Sequence, residues 1–531
     1  MPICKNCQKE FTIYPEDQEF YQKIEVPEPT WCPECRSQRR LAFRNERNLY
    51  KRKCDLCGQE IISIYSEEKP FQVYCQKCWW SDQWDPLEYG REFDFSRPFF
   101  EQLKELLKVV PKVSLYNIKA ENAEYCNFCM GNRNCYLVFG SDKNRSCHYS
   151  LWIYECRDVI DCSYCYNSEL LYQCIDCMKC YHCQYCQDCE SSSHCFLSSD
   201  LKSCKNCFGC TGLRHKENYI FNQKVSLEEF NNFVDQIQDI LSYQKKMEKI
   251  RKEIPRKSSH FVNSRNFIGD FIINSQNIFY SFDVRNGQNI RYSNDIFDQA
   301  RDCWDCSFSG EIELCYDSYE IHGYDLKFCD RTWPSTSSTY LDNCDNCSDC
   351  FACVGLRYSK NCIFNKQYKE SEYLELKEKI INHMKKTRLR QGSGGQAGEW
   401  GEYPPIELSP FAYNETVANE YFPLSKEEVL AKSWQWQEEK DKPVIPGLPQ
   451  CGICGKNFKI IPQEEKFYSR MNLPLPDKCP NCRHLARLKL RNPRQLWDQK
   501  CDKCGKEIKT SYAPDCPEKV YCEECYQKEI Y

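Results

Sequence analysis

Across residues 126–210 the apolar positions recur at every third residue. Each cysteine of that stretch, from Cys126 to Cys210, has a number divisible by three, and "CIDCMKCYHCQYCQDC" at 174–189 places six in unbroken succession. Where cysteine is missing, the comb is filled by Val138, Ser150, Ile153, Val159, Ser168, Leu171, Ser198, Leu201, Leu213 and Tyr219. Small and apolar side chains thus form one line, and such a line faces inward. A period of three fits neither a strand, with period 2, nor a helix, with period 3.6, so the chain must turn at regular intervals. The pattern predicts a β-solenoid with Asn, Asp, Gln and Ser at its corners. A bundle of polyproline II segments has the same period and is the alternative, although few prolines accompany it. Cysteine spacings of 9, 18 and 21 all recur, which leaves the length of a coil open.

Beyond the comb the period changes to that of a helix. Ser226-Leu227-Glu228-Glu229 reads as a capping box, followed by an apolar stripe through Phe230, Phe233, Val234, Ile237 and Leu241. A second helical tail is predicted over Tyr373–Arg390, with Leu374, Leu376, Ile380 and Ile381, and a third capped helix over Ser425–Lys440. "QGSGGQAGEWG" at 391–401 has the composition of a flexible linker.

Two nested duplications organise the chain. "NCFGCTGLRHKENYIFNQ", ending at Gln223, matches "DCFACVGLRYSKNCIFNK", ending at Lys366, at an offset of 143, with a one-residue slip that aligns "DCSY" at 161 with "DCSF" at 305. At the two ends, eight cysteines recur at an offset of 447. The expected fold class is therefore multidomain and mainly β: two tandem pairs of zinc ribbons flanking a duplicated cysteine-rich β-solenoid-like region with helical tails. The expected boundaries are 1–84 for tandem zinc ribbons (4–40 and 50–82), 85–119 for a linker with a helix, 120–224 for repeat block 1, 225–262 for a helical tail, 263–367 for block 2, 368–390 for a second tail, 391–446 for a linker with a helix, and 447–531 for the second ribbon pair.

The chain holds 43 cysteines in 531 residues, a level found in disulfide scaffolds and in metal proteins. An odd total does not pair completely within one chain. The opening Met1-Pro2-Ile3-Cys4 shows no basic region followed by an apolar stretch, and no segment approaches the roughly 20 apolar residues of a membrane span. A cytoplasmic, membrane-free protein is the expectation. Net charge of −5 does not advertise a nucleic-acid binder as a whole.

The end cysteines have the spacing of metal ligands. Cys4, Cys7, Cys32 and Cys35, then Cys54, Cys57, Cys75 and Cys78, recur as Cys451, Cys454, Cys479 and Cys482, then Cys501, Cys504, Cys522 and Cys525. Two CxxC turns facing one another complete a tetrahedral Cys4 site, so about four zinc ions are expected, with Gly58 and Gly505 in the knuckles and "FTIY" and "FKII" as hairpin strands. Disulfides or redox-active CxxC motifs are the alternatives; matched pairs of pairs favour zinc. "CKNCQKEFTIYPEDQEFYQKIEVPEPTWCPECRSQRR" resembles the probable zinc-ribbon domain family over residues 4–40, and 451–487 resembles it less closely. The layout also resembles uncharacterised bacterial cysteine-rich zinc-ribbon proteins, some labelled CaiB/BaiF CoA-transferases. Nothing in these residues supports that label, since such an enzyme needs a large α/β domain with a catalytic aspartate.

The duplicate distinguishes wall from ligand in the middle of the chain. Cys129, Cys135, Cys147 and Cys183 match Ile272, Ile278, Ile290 and Leu326, while Val159, Leu171, Leu201 and Tyr219 match Cys303, Cys315, Cys344 and Cys362. Cysteine trades places with apolar residues, as a small buried hydrophobe does. Cys204, Cys207 and Cys210 are the exception, retained as Cys347, Cys350 and Cys353, and form a candidate second metal site; a tight solenoid end is the other reading.

No phosphate-binding glycine loop, HExxH or dinucleotide fingerprint is present, and His148, His182, His194 and His215 are replaced by Arg291, Asp325, Ser337 and Tyr358 in the duplicate. A non-enzyme is expected, with no small-molecule substrate evident. The connector "RSQRRLAFRNERNLYKRK" carries eight basic residues against Glu46, and its counterpart "RHLARLKLRNPRQLWDQK" six against Asp498. With Phe43, Tyr50 and Trp497 interleaved, these stretches nominate RNA or DNA as the partner, contacted through Arg36, Arg39, Arg40, Arg44, Arg47, Lys51, Arg52, Arg483, Arg487 and Arg491. A protein-interaction scaffold around a rigid core is the alternative, and a thiol redox or sulfur-handling protein the second.

Overall fold

The computed structural model describes residues 1–387, 398–438 and 445–531. The predicted linker at 391–401 lies mostly outside them, as do the last residues of the second tail and of the third predicted helix. The chain forms two compact units, each built from two separate stretches: Met1–Ser114 with His260–Gln437, and Leu115–Ser259 with Glu438–Tyr531. The N-terminal cysteine modules therefore share a unit with block 2, and the C-terminal modules with block 1.

Both blocks are β-solenoids. In block 1, four-residue strands stack in parallel with Glu169 beside Tyr181, Tyr181 beside Ser193, Ser193 beside Lys205 and Lys205 beside Glu217, a repeat of 12 residues per coil. The period of three has a backbone cause. The residue before each inward position is left-handed, as at Asp176, Lys179, His182, Tyr185 and Asp188 (φ 52–54°), so one residue in three bends the chain and 12/3 gives four sides. Each non-glycine left-handed residue costs about 1–2 kcal/mol. Ladder hydrogen bonds offset that strain by satisfying the backbone on both sides of a coil, as in Ile175 N to Cys186 O (2.9 Å) and Asp176 N to Ser163 O (3.0 Å).

The inward comb is the core. Cys126 through Cys210 pack in one buried cluster with Val138, Ile153, Val159, Leu171 and Leu201. Thiols and hydroxyls act alike there: Cys174 Sγ donates to the carbonyls of Tyr172 and Cys183 (both 3.5 Å), and Ser150 Oγ donates to His148 O (2.9 Å) while accepting from Cys162 N (3.1 Å). Block 2 has the same construction with Ile272, Ile278, Ile290 and Leu326 in the matched core positions and Cys303, Cys315, Cys344 and Cys362 in the reverse ones. Its slip is one coil of 13 residues, with Ile290 beside Cys303, followed by a coil of 11, with Tyr319 beside Asp330. The irregular coil passes Gly323, whose φ of +139° and whose missing Cβ, which would lie 1.9 Å from Ser335 O, admit glycine alone. Ser318 and Ile321 are buried in this stretch, with Ile321 in the core cluster, while Asp317 and Glu320 pair with arginines of the N-terminal module.

Helices close the blocks. Leu227–Asp235 carries the predicted capping box, with Glu229 N donating to Ser226 Oγ (3.1 Å) and Ser226 N to Glu229 Oε2 (2.8 Å), and its Phe230 packs with Phe196 and Phe208 of block 1. The second tail is Glu370–Lys386, which buries Tyr373, Ile380 and Met384 rather than Leu374, left 56% exposed. The third predicted helix spans Lys426–Ala431 only, because Ser433 turns left-handed (φ 60°) and Trp434 stacks back on Tyr413. Among the described residues no helix is long and apolar enough to cross a membrane.

Candidate metal centres

Each end module brings four cysteines together. In all four groups the sulfurs lie within 4.8 Å of one another. Cys7 and Cys32 are separated by 3.8 Å, Cys454 and Cys479 by 3.7 Å, and Cys504 and Cys522 by 3.7 Å. A zinc ion at about 2.3 Å from each thiolate in a tetrahedron sets its sulfurs about 3.8 Å apart. The residues fit zinc, and the chain holds about four such sites.

The local fold explains why the first cysteine of each module is poised as a thiolate. The first CxxC of each module is a knuckle whose backbone turns back under the sulfur. Gly58, Gly455 and Gly505 take positive φ there (74°, 69° and 75°), and Gln8 does so in the first module (φ 60°). The second CxxC opens a helix: Cys32, Cys75, Cys479 and Cys522 are the N-cap residues of Pro33–Leu41, Gln76–Trp79, Pro480–Leu488 and Glu523–Ile530. Their own N–H groups reach the opposite knuckle, with Cys32 N to Cys4 Sγ at 3.2 Å, Cys75 N to Cys54 Sγ at 3.3 Å and Cys522 N to Cys501 Sγ at 3.2 Å. Burial pushes the first thiol of each module up, but backbone N–H donors of its own knuckle and of the helix N-cap, with the neighbouring thiol, outweigh it and bring Cys4 and Cys54 down to about 7, and Cys451 and Cys501 to about 6.

The helix replaces the facing hairpin expected in the first and third modules. "FTIY" and "FKII" form no strand; they lead into helices Pro15–Lys23 and Pro462–Arg470, each begun by proline at its first position. Antiparallel hairpins are present in the second and fourth modules, at Tyr50–Lys53 with Glu60–Ser63 and Trp497–Lys500 with Glu507–Thr510.

The arginines assigned to phosphate contacts are instead buried against the solenoids. Arg36, Arg39, Arg40 and Arg44 are 0–3% exposed. Arg36 Nη2 donates to Asp305 Oδ2 (2.7 Å), Arg40 Nη1 to Asp317 Oδ1 (2.6 Å), Arg39 Nη2 to Asp317 Oδ2 (3.0 Å), and Arg44 pairs with Glu46 and Glu320. In the other unit Arg483 and Arg487 reach Asp161 (3.2 and 2.8 Å), and Arg491 bonds Asp176 (3.0 Å). Offsets of 447 between modules and 144 between blocks map Arg36–Asp305 onto Arg483–Asp161, and Arg44–Glu320 onto Arg491–Asp176. One interface is thus built twice. Burial alone lowers the Arg36 pKa, and Asp305 reverses it, holding the guanidinium charged. Removing one member of such a buried pair costs about 3–5 kcal/mol.

Of the other basic residues, Arg52 is tied into its own module through Asp55 (2.8 Å) and Ser66 O (3.1 Å), Arg47 lies 3.7 Å from Glu420, and Lys51 is exposed.

A second set of contacts escaped sequence reasoning. Asp17, 1% exposed, accepts from Tyr292 OH (2.8 Å), Trp304 Nε1 (2.8 Å) and Arg291 Nη1 (3.0 Å). Its counterpart Glu464 accepts from Tyr149 OH (2.7 Å) and Arg483 Nη1 (3.0 Å). The signal was available: acid 17 recurs at 464 and tyrosine 149 at 292, at the two offsets already known.

Cys204, Cys207 and Cys210 sit on successive sides of one coil, as do Cys347, Cys350 and Cys353, all inside the core clusters. Their sulfurs donate to backbone carbonyls, as Cys204 Sγ does to Lys202 O (3.4 Å) and Cys347 Sγ to Asp345 O (3.4 Å). Among the described residues the groups drawn together as metal sites are the four at the ends, and these six are not in one.

Residues 2–44 match the family model of the probable treble clef domain. The knuckle and helix N-terminus around Cys4, Cys7, Cys32 and Cys35 have that arrangement, and the matched stretch ends on the docking arginine Arg44. No curated protein matches the chain, and none supports the CoA-transferase label.

Proposed function

We propose that this zinc-binding protein is a non-catalytic scaffold for protein recognition, in which zinc-held modules clamp two solenoids. The observation that carries this reading is the duplicated arginine–carboxylate interface. Seven of the ten basic side chains nominated for phosphate contacts, Arg36, Arg39, Arg40, Arg44, Arg483, Arg487 and Arg491, are engaged with solenoid acids, at equivalent positions in the two units. The interior thiols serve as packing: they lie in the two buried core clusters and their sulfurs donate to backbone carbonyls, as Cys174 Sγ does to those of Tyr172 and Cys183, which keeps them from the solvent access that a nucleophilic or redox role needs.

A salt titration tests it against the nucleic-acid reading. Labelled single-stranded RNA and double-stranded DNA, titrated with zinc-loaded protein at 50 and 200 mM salt, are expected to show no affinity that falls steeply with salt. A protein making 6–10 phosphate contacts loses about 10³–10⁵ in affinity over that range, and such a loss here overturns the scaffold reading.

A further inference from the structure

The two units share a docking interface but differ on the far side of the module that makes it. In the first unit, helix Pro33–Leu41 and the residues after it are covered by the stretch 398–437. Gln38 Nε2 donates to Tyr413 OH (2.7 Å), Ser409 Oγ to Ala42 O (2.7 Å), and Val417 N to Arg44 O (2.9 Å). Arg39 Nη1 donates to Glu402 Oε2 (2.8 Å), and Phe43, 4% exposed, meets the Tyr403 ring edge-on at 5.4 Å.

The counterpart surface on helix Pro480–Leu488 carries apolar residues where these anchors stand. Leu485 replaces Gln38, Ala486 replaces Arg39 and Leu490 replaces Phe43. Leu485 is 40% and Leu490 56% exposed, so the face has lost its polar anchors and is still open to solvent. Two aliphatic side chains thus stand exposed at positions that residues 398–437 cover in the duplicate.

We propose that this face of the C-terminal module binds a partner polypeptide in the way residues 398–437 bind the N-terminal module: an extended segment carrying aromatic and proline residues, with an apolar side chain in place of Glu402. The occupant's chemistry follows from the two surfaces. Ala486 offers no cation to receive a Glu402 carboxylate, and a buried carboxylate without a partner is costly. An aliphatic residue there meets Leu485 and Ala486 and gains burial. The recognition is that of an extended segment read by its apolar anchors. The proposal rests on the scaffold reading, and it fails separately from it, since the salt titration does not involve this face.

The test uses the full zinc-loaded chain and a fluorescent peptide of residues 398–437 carrying Glu402→Leu. Anisotropy is expected to show saturable binding that weakens at least tenfold in the Leu485→Glu/Leu490→Glu chain, with zinc content confirming that the variant is folded. The unmodified peptide is expected to bind the native chain more weakly, and to gain at least tenfold when Ala486→Arg restores the partner of Glu402. Absence of binding by the Glu402→Leu peptide, or equal binding to the Leu485→Glu/Leu490→Glu chain, overturns the proposal. So does concentration-dependent self-association that this double variant removes, because the occupant is then a second copy.

Discussion

His148 lies on the coil next to the carboxylate that receives Arg487: Asp161 N donates to His148 O at 3.1 Å. Burial lowers its pKa from 6.5 to about 4, and Asp158 and Asp161 offset only part of that. The duplicate solves the same position differently, since Arg291 stands there and pairs with Asp17, whereas Glu464 receives Arg483. A permanent cation is thus exchanged for a ring held neutral. Because the folded pKa is below the unfolded value of about 6.5, the contribution of neutral His148 is complete above pH 6.5 and is lost as pH falls through 6.5 toward 4, by up to ~3 kcal/mol. Urea unfolding of native protein and His148→Gln at pH 7.5, 6 and 5 is expected to show their difference shifting against the native protein as pH falls. A difference that stays constant means that the ring is not held neutral.

The metal modules and the solenoid coils were legible to different degrees for physical reasons. Sixteen ligands were readable because zinc imposes a spacing on sequence, but the same spacing is met by a hairpin or a helix N-terminus, and Pro33 and Pro480 just after the N-cap cysteines were the clue to the helix. The inward comb was readable because every third residue is left-handed and the next one faces the core. The coil length of 12 was not, since four near-identical sides leave no position in the coil distinguished, and any multiple of three satisfied the cysteine spacings. The helix that begins at Cys32 also carries Arg36 and Arg40, which makes zinc binding and docking one event. Metal analysis is expected to return about four zinc per chain. A chelator is expected to release them with loss of the helix and its ion pairs, each site contributing up to about 10–16 kcal/mol of coupled binding and folding energy. Zinc near zero in folded protein, or full release without a change in unfolding, contradicts this.

At the scale of the whole molecule, the order of segments along the chain is not the order of assembly. The first module pair belongs with the second solenoid block and the last pair with the first. This pairing is not legible in the sequence because a connector with eight basic residues looks like an open phosphate surface, while the acids that answer it are dispersed at Asp305, Asp317 and Glu320 among coils that read as corners. Specificity between near-duplicate partners then rests on few residues. Arg39 and Arg40 both reach Asp317, whose counterpart in block 1 at the offset of 144 is Gln173, and Asp17 receives Arg291, whose counterpart is His148. A module brought to the wrong block still meets the acids that match Asp305 and Glu320, but finds Gln173 where Arg39 and Arg40 need Asp317 and His148 where Asp17 needs Arg291, a penalty of about 2–5 kcal/mol per broken pair. Co-expressed with zinc, a tagged 1–114 fragment is therefore expected to capture 260–437 and not 115–259, and Asp317→Gln in 260–437 is expected to weaken capture at least tenfold. Equal capture of both blocks, or indifference to Asp317→Gln, means that the pairing of modules with blocks is set by the connecting chain and not by the interface.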